Sequence, residues 1–434
     1  MSNATVANHT PANSTARILM ASLVGTTIEF FDFYIYATAA VLVFPVLFFP
    51  SSDPSTGILQ SLATFAIAFF ARPIGSALFG HFGDRVGRKV TLVAALLTMG
   101  ISTVAIGLLP TYAQIGVIAP ILLALCRFGQ GLGLGGEWGG AVLLATENAP
   151  EGKRAWYGMF PQLGAPIGFL MAGGSFLLLG EFLSEADFFA WGWRIPFIAS
   201  SVLVIFGLYI RLKIHETPVF QATIDKQQQV KVPMFTVFQQ HGKMLFLGTC
   251  IALATFVLFY LVTVFSLTWG TTQLGYSREH FLILQLIAIL FFALCIPISA
   301  LLADRFGRRL TLGLISLAIA IFGLFMAPLL NGGNDTSVLL FLIIGLGLMG
   351  LTYGPLGTIL SELFPTNVRY TGASLTFNMA GIFGASLAPY VAMWLGTHYG
   401  ISAVGYYLSI AALITLVAIL FTHETKDQQL AQLN

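Results

Sequence analysis

The sequence predicts an all-α integral membrane protein of twelve transmembrane helices in two six-helix bundles, and three observations carry that reading. Hydrophobic residues make up 57% of the 434 and charged residues only 9%, with a mean hydropathy of +0.86, far from the roughly 25% charged of soluble domains. The apolar residues gather in runs of about 20 or more, the length a helix needs to cross a bilayer. Finally, Gly83-Asp84-Arg85-Val86-Gly87-Arg88-Lys89 returns as Ala303-Asp304-Arg305-Phe306-Gly307-Arg308-Arg309, an offset of 220 (83 to 303), each time between two such runs. One membrane unit is used twice, the plan of a carrier that rocks around a central site.

Taken in order, the runs predict spans at 18–44, 58–80, 90–109, 118–146, 156–183 and 190–210, then at 244–269, 280–303, 310–330, 337–361, 371–397 and 401–421. The expected domains are an N-terminal tail 1–17, a first bundle 18–210, a polar linker 211–243 with Gln227, Gln228 and Gln229, a second bundle 244–422, and a C-terminal tail 423–434. The first 17 residues lack a basic region ahead of a cleavable apolar core, so no signal peptide is expected. Cys126, Cys250 and Cys295 lie inside apolar runs without metal-ligand or paired spacing, and read as small core residues.

Charge sets the orientation. Of 20 Lys and Arg residues, only Arg194 and Arg278 fall on one side and Arg72 and Arg127 within spans; the other sixteen fall opposite, in the tails, linker and repeated loops. The positive-inside rule puts that face, with both termini, in the cytoplasm. It also makes the glycosylation-type triplets at Asn3, Asn8 and Asn13 meaningless. Two further echoes strengthen the duplication. Glu147, Pro150, Arg154 and Gly158 match Glu362, Pro365, Arg369 and Gly372, and His215-Glu216-Thr217 reappears as His423-Glu424-Thr425. Asp84 and Asp304 are expected to cap helix starts. Arg85, Arg88, Arg154, Arg305, Arg308 and Arg369 are expected to pair with Glu147 or Glu362 when the cytoplasmic side is closed, which makes these ten residues a gate.

Inside the apolar spans stand five ionisable groups, Glu29, Asp32, Arg72, Arg127 and Glu137, each costing ~2.5–3.5 kcal/mol at a helix centre. Such groups need internal partners or a watery cavity. Glu29, Asp32, Phe33 and Tyr36 share one helical face. Arg127, Gln130 and Glu137 share another, the two charges about 15 Å apart along the axis. The second half has Leu342 and Thr352 opposite Arg127 and Glu137, so all the buried charge lies in the first bundle. Three carboxylates face two guanidinium groups, and in one shared cavity one carboxylate lacks a cation, which makes it a proton site. Asp32 or Glu29 is the expected carrier, with Arg127 as the cation that alternately pairs with it and Glu137 in reserve; permanent bridges fixing helix register are the competing reading. A carboxylate-bearing solute wants a guanidinium fork, which nominates Arg72 and Arg127. Tyr36, Gln130, Tyr260, Gln285, Tyr353 and Asn378 are the uncharged candidates for substrate contact, and Pro161, Gly164, Pro166 and Gly168 suggest a bent span lining the cavity.

The repeated loops resemble the signature of the major facilitator superfamily. More narrowly, Gly25 with Glu29-Phe30-Phe31-Asp32-Phe33, Phe70-Ala71-Arg72-Pro73, Arg127 with Gln130-Gly131, Gly135-Gly136-Glu137-Trp138-Gly139-Gly140 and Trp191-Gly192-Trp193-Arg194 resemble its metabolite:proton symporter family, across nearly the whole chain. That resemblance implies a major facilitator fold in a bacterial inner membrane. It implies import of small organic acids or zwitterions with protons; function as a monomer in the lipid bilayer is expected. The expected function is a proton-coupled symporter of a carboxylate metabolite, with a proline or betaine carrier and a transporter-like nutrient sensor as alternatives. The proton is the coupling ion, and no other cofactor, metal, nucleic-acid partner or enzymatic activity is expected. A soluble enzyme is excluded by composition, and the Gly-rich run 131–140 is intramembrane, where a dinucleotide fold cannot form.

Overall fold

The computed structural model describes residues 14–51, 54–213 and 232–428, and no strand occurs among them. The first half contains α1 (Thr15–Leu42), α2 (Pro54–Arg85), α3 (Arg88–Leu108), α4 (Ile118–Thr146), α5 (Arg154–Phe182) and α6 (Arg194–Leu212). The second contains α7 (Gly242–Thr272), α8 (Arg278–Phe306), α9 (Arg308–Leu324), α10 (Asp335–Glu362), α11 (Arg369–Tyr399) and α12 (Ile401–Leu420). Eleven described helices are long and apolar enough to cross a membrane. The remaining one, α9, has 17 residues and continues as Met326–Leu330 after a break at Phe325. Its break explains why one apolar run in the sequence becomes two pieces.

The repeated loop turns on Gly87 and Gly307, whose φ angles of 134° and 100° favour a residue without Cβ and end α2 and α8 sharply. Within the halves, α1 packs along α5, α2 along α4, and α8 along α10; between them, α5 lies against α8 and α10, and α2 against α11. The glycines of α5 serve this packing. A Cβ at Gly164 or Gly168 would stand 2.7 Å from the backbone nitrogen of Thr27 or Phe31, so α5 and α1 meet backbone to backbone. Only Ala165 of that stretch reaches the central cavity described below. In α7 and α11, π-helical turns at Leu261–Phe265 and Ile382–Ser386 interrupt the ladder instead. Large apolar side chains such as Ile101, Leu125, Val202, Leu294 and Ile410 point outward, the expected face toward lipid.

One boundary differs from the sequence reading. Helix α6 continues through Leu212, so Arg211 is not a linker residue; it lies in the last helical turn, only 2% exposed. Within the linker, Pro233–Gln240 forms a short helix whose Pro233 and Val237 are buried, Val237 beside Phe364, Val368 and Leu375. His215, Glu216, Thr217 and the three glutamines lie outside the described residues, as do Asn3, Asn8 and Asn13 of the N-terminal tail.

Candidate functional site

A cavity sits between the two halves, about midway along the helices. Its wall comprises Glu29, Phe30, Phe33 and Tyr34 of α1, Arg72 of α2 and Ala165 of α5, faced by Phe256, Phe259 and Tyr260 of α7, Phe292 of α8, Met349 and Tyr353 of α10, and Phe377 of α11. The first half supplies both charges and the second mostly aromatic rings. Arg72 holds its guanidinium over the rings of Phe33 and Phe69, at 4.7 and 5.0 Å from their centroids, which orients it without neutralising it. Glu29 and Arg72 form no ion pair, and Oε2 of Glu29 and Nε of Arg72 are buried without a hydrogen-bond partner in the protein. A carboxyl and a guanidinium, neither in an ion pair, therefore face the same space, an arrangement that can hold a solute carrying charge of either sign.

Of the residues nominated from sequence, Glu29, Arg72, Tyr260 and Tyr353 line this cavity. The others are committed elsewhere. Tyr36 donates to Oγ1 of Thr64 at 2.9 Å. The amide of Gln285 donates to the carbonyl of Thr263 at 2.7 Å and to that of Val262, groups belonging to the π-turn of α7. Asn378 donates to Oγ of Ser76 at 2.8 Å and so ties α11 to α2. Arg127 lies over the ring of Tyr36 at 4.0 Å and donates to Gln130 at 3.0 Å.

Two expectations about charge need correction. Arg127 does not pair with Asp32; the carboxylate instead accepts from Ser200 at 2.6 Å and Thr103 at 2.8 Å. Three residues of helix advance 300°, so Asp32 is turned about 60° from Glu29, enough to aim one carboxylate at the cavity and the other at the seam of α3 and α6. Nor is Glu137 the spare carboxylate, because both its oxygens accept from Arg211, which reaches it across the bare backbone of Gly25. Arg72 and Arg127 are thus not the sole buried cations of the first half. The sequence signal for Arg211 was Leu212 beyond it, which extends the apolar run by one more helical position.

Toward the face bearing the basic loops, Trp138 of α4 stacks on Phe377 of α11 at 3.6 Å. Gln162 of α5 accepts from the indole at 2.8 Å and donates to the Tyr353 carbonyl at 2.9 Å. Below this floor the two repeated loops form reciprocal caps. Asp84 accepts from the backbone N–H groups of Tyr370 and Thr371, at 3.2 and 3.0 Å, at the start of α11. Asp304 accepts from those of Ala155 and Trp156, at 3.0 and 2.8 Å, at the start of α5. Each half thereby caps a helix of the other. Around the first cap, Arg88 pairs with Asp84 at 2.7 Å and Glu147 at 3.3 Å, and Arg369 comes across from the second half to Glu147 at 3.5 Å. Around the second, Arg308 pairs with Asp304 at 3.3 Å and Glu362 at 3.2 Å, and Arg154 crosses from the first half to Glu362 at 2.8 Å. Arg85 and Arg305 lie exposed at the rim, Arg85 against His81 and Arg305 against Phe306.

The second cluster has an extra part. Glu424, in the segment after α12, accepts from the backbone N–H groups of Arg308 and Arg309 at 3.0 Å each, while Thr425 donates to Glu362. Arg154 also donates to the carbonyls of Thr425 and Lys426 at 3.2 Å. Burial pushes the Glu424 carboxyl up, but the backbone N–H groups of Arg308, Arg309, Lys426 and Thr425 outweigh it and hold the group below its usual range.

The comparisons with known proteins agree with this architecture. The family model described as sugar (and other) transporter matches residues 18–236 and 224–434. An Escherichia coli protein, the inner membrane metabolite transport protein YhjE, is 61% identical over 427 residues, covering 97% of each chain. The E. coli shikimate transporter is 35% identical, covering 96% of this chain and 95% of its own, and the Salmonella typhimurium proline/betaine transporter is 34% identical, covering 95% and 84%. Among solved structures, the proton:xylose symporter XylE bound to 6-bromo-6-deoxy-D-glucose superposes with a TM-score of 0.77 at 20% identity, over 96% of this chain and 98% of its own. With a family match across both bundles and relatives of this identity along the chain, the protein belongs to the sugar (and other) transporter family of the major facilitator superfamily, whose members are membrane transporters.

Proposed function

We propose that the protein is a proton-coupled symporter that carries a small carboxylate metabolite into the bacterial cytoplasm by alternating access. The observation that carries this reading is Arg72, a buried guanidinium with an unused donor in a cavity lined by both halves. Its fork suits a carboxylate, and the unpaired carboxyls of the same bundle suit a proton. The relatives named as metabolite and shikimate transporters support an organic acid, and the neighbour named as a proton:xylose symporter supports the coupling ion. The basic loops and termini then face the cytoplasm, in an inner membrane, and the two ion clusters act as the cytoplasmic gate, here closed. One chain encloses the whole cavity, which supports function as a monomer.

A second reading, a zwitterion such as proline or betaine, is favoured by Glu29, whose carboxylate stands among aromatic faces suited to an ammonium group. Uptake into proteoliposomes under an inward proton gradient, across mono-, di- and tricarboxylates plus proline and betaine, tests both. Accumulation of a carboxylate that a protonophore abolishes supports the first reading; accumulation of proline or betaine alone supports the second. Downhill, gradient-independent flux overturns proton coupling.

A further inference from the structure

Asp32 stands apart from the cavity at one end of a buried hydrogen-bonded chain. Ser200 of α6 donates to its Oδ1 at 2.6 Å and Thr103 of α3 to its Oδ2 at 2.8 Å. Thr103 Oγ1 in turn accepts from the Gln130 amide at 2.8 Å, and Gln130 Oε1 accepts from Arg127 Nη1 at 3.0 Å. All five side chains are at most 1% exposed. The direction of each bond is dictated from the ends. The guanidinium can only donate, so Gln130 must offer its oxygen there and its NH₂ to Thr103; Thr103 then has one hydrogen left, which goes to the carboxylate.

The chain also holds an alternative. The Met99 carbonyl lies 3.0 Å from Thr103 Oγ1, within reach of the same hydroxyl hydrogen. When a proton binds Oδ2, the new O–H donates to Thr103, and the Thr103 hydrogen turns to Met99. Thr103 keeps its bond from Gln130, so both states leave Thr103 Oγ1 and the Asp32 oxygens hydrogen-bonded and only one O–H bond has formed. No charge screens Asp32 directly. The helices packed against α1 carry Arg72 (α2), Arg88 and Lys89 (α3), Arg127, Glu137 and Glu147 (α4), Arg154 and Glu181 (α5) and Arg194 and Arg211 (α6), and α1 itself carries Glu29, Tyr34 and Tyr36. None of these pairs with Asp32 among the described residues.

We propose that Thr103 and Ser200 are positioning residues that fit Asp32 to bind and release the coupling proton. The inference rests on the symporter reading and deepens it, separating the proton carrier from the Glu29–Arg72 pair that faces the substrate.

The test is the pH profile of uptake in proteoliposomes, with substrate KM from counterflow, for the wild type, Thr103→Val, Thr103→Ser, Ser200→Ala and Glu29→Gln. Thr103→Val keeps the volume and removes the hydroxyl. Losing a donor to the carboxylate moves the pH midpoint of uptake about one pH unit upward, while counterflow KM stays within about twofold and Thr103→Ser restores the wild-type profile. Ser200→Ala moves it the same way and serves if Thr103→Val fails to fold. An unmoved profile in both variants overturns the inference, and so does a profile that moves only in Glu29→Gln, with the symporter reading intact. A wild type that shows no proton-driven accumulation overturns that reading itself, and the inference with it.

Discussion

The two halves keep their loop-face ion clusters almost residue for residue but differ in the charge of their cores. Asp84, Arg88 and Glu147 correspond to Asp304, Arg308 and Glu362, and each set receives an arginine from the opposite half. At mid-membrane the first half carries Glu29, Asp32, Arg72 and Arg127, whereas the second half carries no charge there: it lines the cavity with aromatic rings and Met349, and Leu342 stands opposite Arg127. A loop of the proposed gate works only if both halves have it, because each caps the other's helix. A proton site needs one copy, and a second unpaired charge would cost insertion energy without adding a function. The clusters themselves also differ. The side chains of Asp84, Arg88 and Glu147 are wholly buried, whereas Arg154 and Asp304 keep 7% and 10% exposure and the second cluster leans on the segment after α12.

The core asymmetry is broken most severely by Asp32→Asn. It abolishes uphill accumulation in proteoliposomes while exchange persists, and loss of both would assign Asp32 a structural or binding role. Next comes Glu147→Gln, which leaves Arg369 and one arm of Arg88 buried without that anion. A loss of about 3 kcal/mol is expected, read as a lower melting temperature in detergent. Glu362→Gln is milder, about 1–2 kcal/mol, because Arg154 and Asp304 of that cluster are partly exposed, so water can take the place of the lost anion. Equal losses in the two variants would break the comparison. Glu424→Gln should cost about 1 kcal/mol or less and raise hydrogen exchange only at the start of α9. The smallest effect is of pH. A carboxyl held below its usual range stabilises the docked tail above about pH 4.3 and loses that contribution as pH falls. Proteolysis of the tail should therefore be unchanged between pH 8 and 6 and rise only in stronger acid.

Much of this was legible in the sequence because it lies in patterns the membrane enforces. Run length gave the spans, and the duplicated loop gave residues that pair in three dimensions. What failed were questions of facing. A helical face spans about 100°, so Glu29 and Asp32 could share it on paper while pointing to different neighbours. Gln285 and Asn378 looked like ligand contacts, yet the nearest groups needing a hydrogen bond were the carbonyls of a π-turn and a serine hydroxyl. Thr103 and Ser200 gave no signal, since hydroxyls in apolar spans usually bond to their own backbone, as Thr26 and Ser102 do here. The aromatic wall of the cavity was hidden for the opposite reason: 38 phenylalanines leave no way to single out six.

The burial of Asp84, Arg88 and Glu147 sets what the proposed gate can sense. Mobile ions weaken attraction between charges that water surrounds, over a Debye length of about 8 Å at physiological salt, but they do not enter a dry cluster held by backbone caps. The hold of this first cluster is therefore decoupled from the ionic strength of the solution bathing it. On the proposed orientation, a rise in cytoplasmic potassium, which would loosen an exposed latch, leaves this cluster as it was.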